Sequence, residues 1–259
     1  TTTNVRAGIR ICVTCSTRCA VADAIWEQVL TLLFPHKCFL CGRVLAGTGW
    51  LCGECVPPYA GVLCTHCGKP AADCICGRCD PVYAGATAPL LYTGSAREGM
   101  YRFKYDGRSY YAPFLAALME RRVRADFTDI PFDFVTYVPM HPKKRRQRGY
   151  CQTELLARAL AKRLGLPVSD GFIVHTGLGG AQMEQKGFDA REANARQAFA
   201  ACKGRHIDGG TVLLIDDVLT SGATVRRCAA LLLERGAQSV YVVTAMTTPR
   251  AHRGCKMQR

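Results

Sequence analysis

No run of 18 or more uninterrupted apolar residues occurs in this chain of 259 residues, which argues against a membrane-spanning helix. The first residues also lack the apolar core and small-residue cleavage site of a secretory signal. The chain is therefore read as intracellular, where clustered cysteines bind metal more often than they form disulfides. Acids are scarce as well: 20 Asp and Glu face 34 Lys and Arg, a formal net charge of +14. The shortage is uneven, with 7 basic against 5 acidic residues over 1–83 and 27 against 15 over 84–259. Such an excess favours polyanions: nucleic acid, phosphorylated metabolites or anionic lipid. Cysteine nearly vanishes from the later region. Only Cys151, Cys202, Cys228 and Cys255 lie beyond residue 79, where twelve of the sixteen have already occurred.

Two regions thus follow different stabilising rules. With 49% apolar residues the chain can bury a core for one large domain or two unequal ones, and the cysteines favour two. We expect a poorly defined N-terminus over 1–22, a helix plus a cysteine-rich module over 23–83, and a larger domain over 84–259. The helix is read from "ADAIWEQVLTLLF", which spaces Ile25, Val29, Leu32 and Leu33 on one face behind Asp23 as N-cap.

The module contains four CxxC pairs: Cys38 and Cys41, Cys52 and Cys55, Cys64 and Cys67, Cys76 and Cys79. A two-residue gap lets both thiolates reach one tetrahedral ion at roughly 2.3 Å. Two sequential zinc ribbons, Cys38/Cys41/Cys52/Cys55 and Cys64/Cys67/Cys76/Cys79, are the simplest assignment. A crossed arrangement fits the same spacing, and Cys74 can replace Cys76. Four thiolates per ion make closed structural sites, and the metal would supply much of the folding free energy of so small a segment.

Beyond the module, strand and helix patterns alternate. Residues 109–124 read as a helix capped by Ser109, 132–138 as a buried strand, 152–165 as an amphipathic helix ending at Gly165, and 171–174 as another strand. Then come a strand over 211–215, a helix over 225–236 and a strand over 239–246. Near-continuous apolar strands separated by helices indicate an α/β fold with a mostly parallel sheet. In such sheets ligands bind beyond the carboxyl ends of the strands. Both "VPMHPKKRR" and "DDVLTSGAT" fall there.

The second stretch has the chemistry of a sugar-phosphate site. Thr220, Ser221 and Thr224 supply hydroxyls, Gly222 a pliable backbone, and the following helix N-terminus free N–H donors, all suited to a phosphate. Asp216 and Asp217 cannot serve that anion. Vicinal ribose hydroxyls, or hydrated Mg²⁺ beside a pyrophosphate, would satisfy them. A Walker A loop is excluded because no Lys follows Gly222.

"LLIDDVLTSGAT" resembles the phosphoribosyl pyrophosphate (PRPP) signature of type I phosphoribosyltransferases. From about residue 24 onward the chain is similar to the ComF family of bacterial competence proteins, which join a double zinc ribbon to a phosphoribosyltransferase domain. "FKYDGR", "VPMHPKKRRQRGYCQTELLA" and "AQMEQKGFDAREANARQAF" carry the likeness together with the signature. The resemblance implies a type I phosphoribosyltransferase fold behind a small double zinc ribbon. It implies that Asp216 and Asp217, the catalytic pair of an active enzyme, hold the ribose, and that Thr220, Ser221, Gly222, Ala223 and Thr224 hold the 5′-phosphate. It puts Lys143, Lys144, Arg145, Arg146 and Arg148 on the pyrophosphate side or against nucleic acid. Lys104, Tyr105, Gln182, Arg191 and Asn194 match further family motifs. Where the family has Arg-Gly-aromatic-Asn-Gln this chain reads "RGYCQ", so Cys151 stands in place of Asn; His175 lies near the Gln182 motif without matching it.

These observations define the expectations for function. One is a ComF-like protein that binds Mg-PRPP or a related sugar phosphate and handles single-stranded DNA during natural transformation. Its cofactors would be two structural Zn²⁺ and the Mg²⁺ of PRPP. Its partners would be single-stranded DNA and a DNA-uptake motor or helicase, and it would be cytoplasmic, meeting the inner face of the membrane only through partners. The other is an active transferase moving phosphoribose from PRPP to an acceptor that the sequence does not name. Arg121, Arg122 and Arg124 are further candidates for DNA phosphates, and Tyr101, Phe103, Tyr105 and Tyr150 for bases.

Overall fold

The computed structural model describes residues 35–77, 81–178 and 188–249. The helix expected over 22–34 and the residues Cys12, Cys15, Cys19, Cys79, Gln182 and Cys255 lie outside them. The chain divides into two compact units between Glu54 and Cys55. In the first, the Cys38 N–H donates to Arg43 O and the Phe39 N–H to Trp50 O, each at 2.8 Å, forming a tight knuckle.

The second unit opens with the remaining ribbon. Leu63 bridges Pro70 in antiparallel fashion, and a 3-10 turn over Ala71–Asp73 carries the chain round to Cys74. Next come β1 (Gly85–Thr87), β2 (Leu90–Leu91), α1 (Gly94–Tyr105) and α2 (Ala112–Asp126). They are followed by β3 (Phe134–Tyr137), α3 (Pro142–Arg148), α4 (Gln152–Leu164) and β4 (Ile173–His175). The chain continues as α5 (Phe188–Ala198), β5 (Phe199–Ala201), β6 (Thr211–Leu219), α6 (Ala223–Glu234) and β7 (Ser239–Thr247). The main sheet runs β1-β7-β6-β3, with β2 also on β7, and every pairing in it is parallel.

Helices cover both faces, so the central strands must be apolar on both sides. Val212, Leu213, Leu214 and Ile215 are fully buried in one unbroken run. Val212 and Leu214 join Val240, Val242 and the Val225, Cys228, Ala229 and Leu232 face of α6 in one core. Helices α2 and α4 pack on each other, α2 against β7 and α4 against β6 and β3. No helix among the described residues is long and apolar enough to cross a membrane.

Three local expectations change. Ser109 is not a helix cap: it is the first residue of a 3-10 turn over Ser109–Tyr111, Tyr111 holds the cap position of the α-helix, and that helix begins one residue before Pro113, where a missing N–H costs nothing. The strand expected over 171–174 does not join the parallel sheet. Ile173–His175 instead pairs antiparallel with Phe199–Ala201. Finally, β6 does not stop before the acids but continues to Leu219, pairing Asp216 with Thr244 and Leu219 with Thr247 of β7.

Candidate functional site

Asp216 and Asp217 are consecutive residues of a strand, so their side chains leave opposite faces of the sheet. Asp217, 8% exposed, points to the side of α1 and α4. There its Oδ2 accepts from Lys104 Nζ at 2.9 Å and from Gln152 Nε2 at 2.7 Å. Asp216 Oδ1 folds back to accept the Asp217 N–H at 2.8 Å. Burial would raise both carboxyls. For Asp217 the Lys104 charge and its hydrogen bonds with Lys104 and Gln152 outweigh burial and hold the group below its ordinary value. For Asp216 burial wins, reinforced by the neighbouring Asp217 charge, and the carboxyl is pushed up. The pair is therefore asymmetric: an ionised acid clamped by an ammonium, and a neighbour that tends to keep its proton.

A cleft of about 320 Å³ opens over these acids, walled by Lys104, Tyr105 and the Val138–His141 loop and reaching Lys144, Arg148 and His175. The loop is fixed by Thr153, whose hydroxyl donates to Val138 O at 2.7 Å. His141 caps α3, its Nδ1 accepting the Lys143 N–H at 3.0 Å. The proton must then sit on Nε2, which lies 3.2 Å from Gly177 O and donates to it. His175 is held similarly, with Nδ1 accepting the Gly177 N–H at 3.1 Å and its ring edge-on to His141 at 4.9 Å. Burial first, with the Lys144 charge adding to it, pushes its imidazole toward the neutral form.

The loop after β6 carries the hydroxyls and the glycine singled out in the sequence. Gly222 has φ +79° at the cap of α6, a conformation costly for any residue with a side chain. A Cβ there would also lie 2.8 Å from Arg226 Nη1. The first N–H groups of α6 have no intrahelical acceptor by construction and suit an anion. Arg226, itself buried, donates through Nη1 to Ser221 O at 3.0 Å and pairs through Nη2 with Glu192 of α5. From the ribbon side, Lys69 Nζ donates to Leu219 O at 2.8 Å, Thr248 O at 3.0 Å and Thr248 Oγ1 at 2.9 Å. Gly68 permits this approach: a Cβ at its φ of +70° would meet Ala86 Cβ and Leu219 Cδ2 at 2.8 Å. The second ribbon is thus fastened one residue upstream of Thr220.

Of the basic residues singled out in the sequence, Arg145 is paired with Glu154 at 3.0 Å, and Arg148 Nη1 donates to Gln152 Oε1 at 2.7 Å. Lys143, Lys144 and Arg146 are exposed. Arg122 and Arg124 belong elsewhere, bound to Asp126 and Glu120 on α2. Cys151, at the N-cap of α4, makes no capping bond; it is buried with Sγ 3.2 Å from Thr153 Oγ1, and a thiol does not supply the cap that an Asn side chain can. Arg191 is exposed and Asn194 partly buried on α5. Gln152, Arg226 and Lys69 were missed as site residues. Only Gln152 had a signal, the Gln closing "RGYCQ".

The cysteines form two four-sulfur groups, Cys38/Cys41/Cys52/Cys55 and Cys64/Cys67/Cys74/Cys76, each with all sulfurs within 4.8 Å of one another. Sulfurs at 2.3 Å from a tetrahedral zinc are about 3.8 Å apart. Cys41 to Cys52 is 3.7 Å, Cys64 to Cys76 3.8 Å and Cys67 to Cys74 3.8 Å. The donor set therefore fits two closed structural zinc sites with sequential, uncrossed pairing. Cys74 is one of the sulfurs of the second group, and Cys79 lies outside the described residues.

Two family models match the chain, a phosphoribosyl transferase domain over residues 154–256 and a double zinc ribbon domain over 29–80. "DNA utilization protein YhgH" of Salmonella typhimurium is 30% identical over 223 residues, covering 82% of this chain and 96% of that protein. "Competence protein F" of Haemophilus influenzae is 26% identical over 81% of this chain and 96% of its own length. "Competence protein ComFC" of Streptococcus pneumoniae is 24% identical, over 79% and 96%. A relative at 30% identity that is matched over nearly its whole length, with both domain models in the same order, leaves one assignment: the chain belongs to the ComF family, a double zinc ribbon joined to a type I phosphoribosyltransferase fold.

Proposed function

We propose that the protein binds Mg-PRPP or a closely related sugar phosphate in the cleft over Asp216 and Asp217, and that it acts in the handling of single-stranded DNA during natural transformation. The observation that carries the first half is the juxtaposition of the acid pair at the carboxyl end of β6 with the Gly222 anion cradle at the start of α6. The 5′-phosphate would take the N–H groups and hydroxyls of Thr220–Thr224, and the ribose hydroxyls the acid pair. Lys144 and Arg148 would face the pyrophosphate. The carboxylates are not a ready cation cage, since Asp217 already holds an ammonium and Asp216 tends to keep its proton. Mg²⁺ would therefore arrive on the pyrophosphate and not on the protein. Relatives named for competence and DNA utilisation support the second half, as do the exposed cations of α3.

Calorimetric titration with Mg-PRPP, followed by a pyrophosphate-release assay with and without DNA or nucleobases, tests the reading. Saturable binding that Asp216→Asn with Asp217→Asn abolishes is the expected result. Absence of binding by the wild-type protein defeats it, and release of pyrophosphate would convert the binding protein into an active transferase.

A further inference from the structure

Tyr101 and Tyr105 stand one turn apart on α1 and so share a face of the helix. Their ring centroids are 4.7 Å apart, with planes inclined by 43°. Both remain more than half exposed, at 58% and 57%, whereas Phe103 between them is fully buried. Tyr150 is also committed to packing, its hydroxyl donating to Phe103 O. Of four aromatics interleaved with cations, the fold therefore buries or ties down two and presents two. The guanidinium of Arg148 lies 4.4 Å from the Tyr105 ring centroid, a distance at which cation and π-face attract. Tyr105 and Arg148 also wall the cleft over the acid pair.

We propose that Tyr101, Tyr105 and Arg148 form a stacking platform for a base of single-stranded DNA at the mouth of the sugar-phosphate cleft. Every base offers a π-face, so such a platform tolerates any sequence. The helix that ends in Arg148 carries the charge a strand needs alongside it. Lys143, Lys144 and Arg146 are exposed and have no carboxylate partner among the described residues. Duplex DNA buries its base faces and is a poor match for the platform.

The platform is wired to the acids. Arg148 Nη1 donates to Gln152 Oε1 at 2.7 Å, Gln152 Nε2 donates to Asp217 Oδ2 at 2.7 Å, and Lys104, adjacent in sequence to Tyr105, closes on the same oxygen at 2.9 Å. A base drawing on Arg148 and a sugar drawing on Asp217 compete for one hydrogen-bond chain. Any effect of sugar phosphate on strand affinity must then equal the effect of the strand on sugar-phosphate affinity. This coupling rests on the sugar-phosphate reading of the cleft; the platform itself does not.

The test is fluorescence anisotropy with the full zinc-loaded chain and two labelled strands of about a dozen nucleotides, one of deoxythymidine and one abasic. Tyr101→Ala should weaken the thymidine strand by about tenfold and leave the salt slope of binding in place, because phosphate contacts are untouched. The abasic strand should change less than about twofold, having no base to lose. Tyr101→Phe should restore the thymidine affinity. The proposal is overturned if the wild-type protein binds neither strand, if it binds both equally, or if Tyr101→Ala makes no difference. Calorimetry with Mg-PRPP on the same preparation separates the two readings. Ring-dependent strand binding without Mg-PRPP binding removes the sugar-phosphate reading and keeps the platform, and the reverse removes the platform alone.

Discussion

Lys104→Met would strip the cleft of the cation that holds Asp217 ionised. The side chains are 18% and 11% exposed, and the carboxylate would keep only the Gln152 amide as partner. Breaking a buried pair from one side costs about 3–5 kcal/mol, a large share of the roughly 5–15 kcal/mol that stabilises a domain. Asp217→Asn should cost a similar amount for the mirrored reason, since it leaves a buried ammonium facing an amide. The double variant Lys104→Met with Asp217→Asn removes both charges, so its cost should fall short of the sum by about 2 kcal/mol or more.

Urea unfolding followed by far-ultraviolet circular dichroism is the appropriate assay. Trp26 and Trp50 both lie in the first third of the chain, so tryptophan fluorescence would report on the ribbons. The pH dependence carries a sign that can be checked separately. The Asp217 carboxyl is lowered in the folded state, so its contribution is complete above the ordinary carboxylate value of 3.8 and fades as pH falls through the depressed one. In Lys104→Met burial is no longer outweighed and raises the carboxyl, so the gap between the two proteins should begin to narrow above that ordinary value and go on closing as pH falls through the depressed one. The gap is the informative quantity, because acid releases zinc from the thiolates of both proteins. Single-variant costs that add within about 0.5 kcal/mol would mean that the two charges do not interact and would refute the clamp.

Asp216→Asn should do the opposite of Asp217→Asn. A carboxyl raised in the folded state keeps a proton that the unfolded chain has lost, so the amide should stabilise the protein by about 1 kcal/mol or more at pH 8, with the gain vanishing toward pH 4 in thermal melts. Cys74→Ser should reduce bound zinc from about two ions per chain to about one, read by a chromogenic chelator; unchanged stoichiometry would take Cys74 out of the second site.

The elements legible in the sequence were those whose hydropathy reports their burial. Val212–Ile215 is apolar on both faces because α6 covers one and α4 the other. Helix α4 ends at Gly165, where the sequence stops it. Helix α1 left no comparable trace: its buried positions are Ala96, Gly99, Met100 and Phe103, two of them too small to register as apolar period. Helix α3 buries no residue at all. It is defined by its ends, His141 capping in front of Pro142 and Gly149 closing behind with φ +79°. The short Ile173–His175 strand read correctly as extended chain, but hydropathy does not choose a partner, and an exposed Val174 suits a small two-stranded antiparallel sheet better than a covered one.

The same distinction explains the site. Residue identity located the acids, but a polar pair after an apolar run looks like the end of a strand, and the ladder that carries β6 through to Leu219 is a backbone matter set by β7. That extension has a chemical consequence. Because Asp216 and Asp217 are held in a strand, they are not equivalent where they line the cleft; one meets Lys104 and Gln152 while the other folds onto the backbone. A flexible loop bearing two acids would offer two equivalent carboxylates to a diol or a cation. A strand offers one ionised and one proton-keeping group, and that asymmetry suits a ribose better than a bare divalent ion: one hydroxyl can donate to the carboxylate while the other accepts from the carboxylic acid.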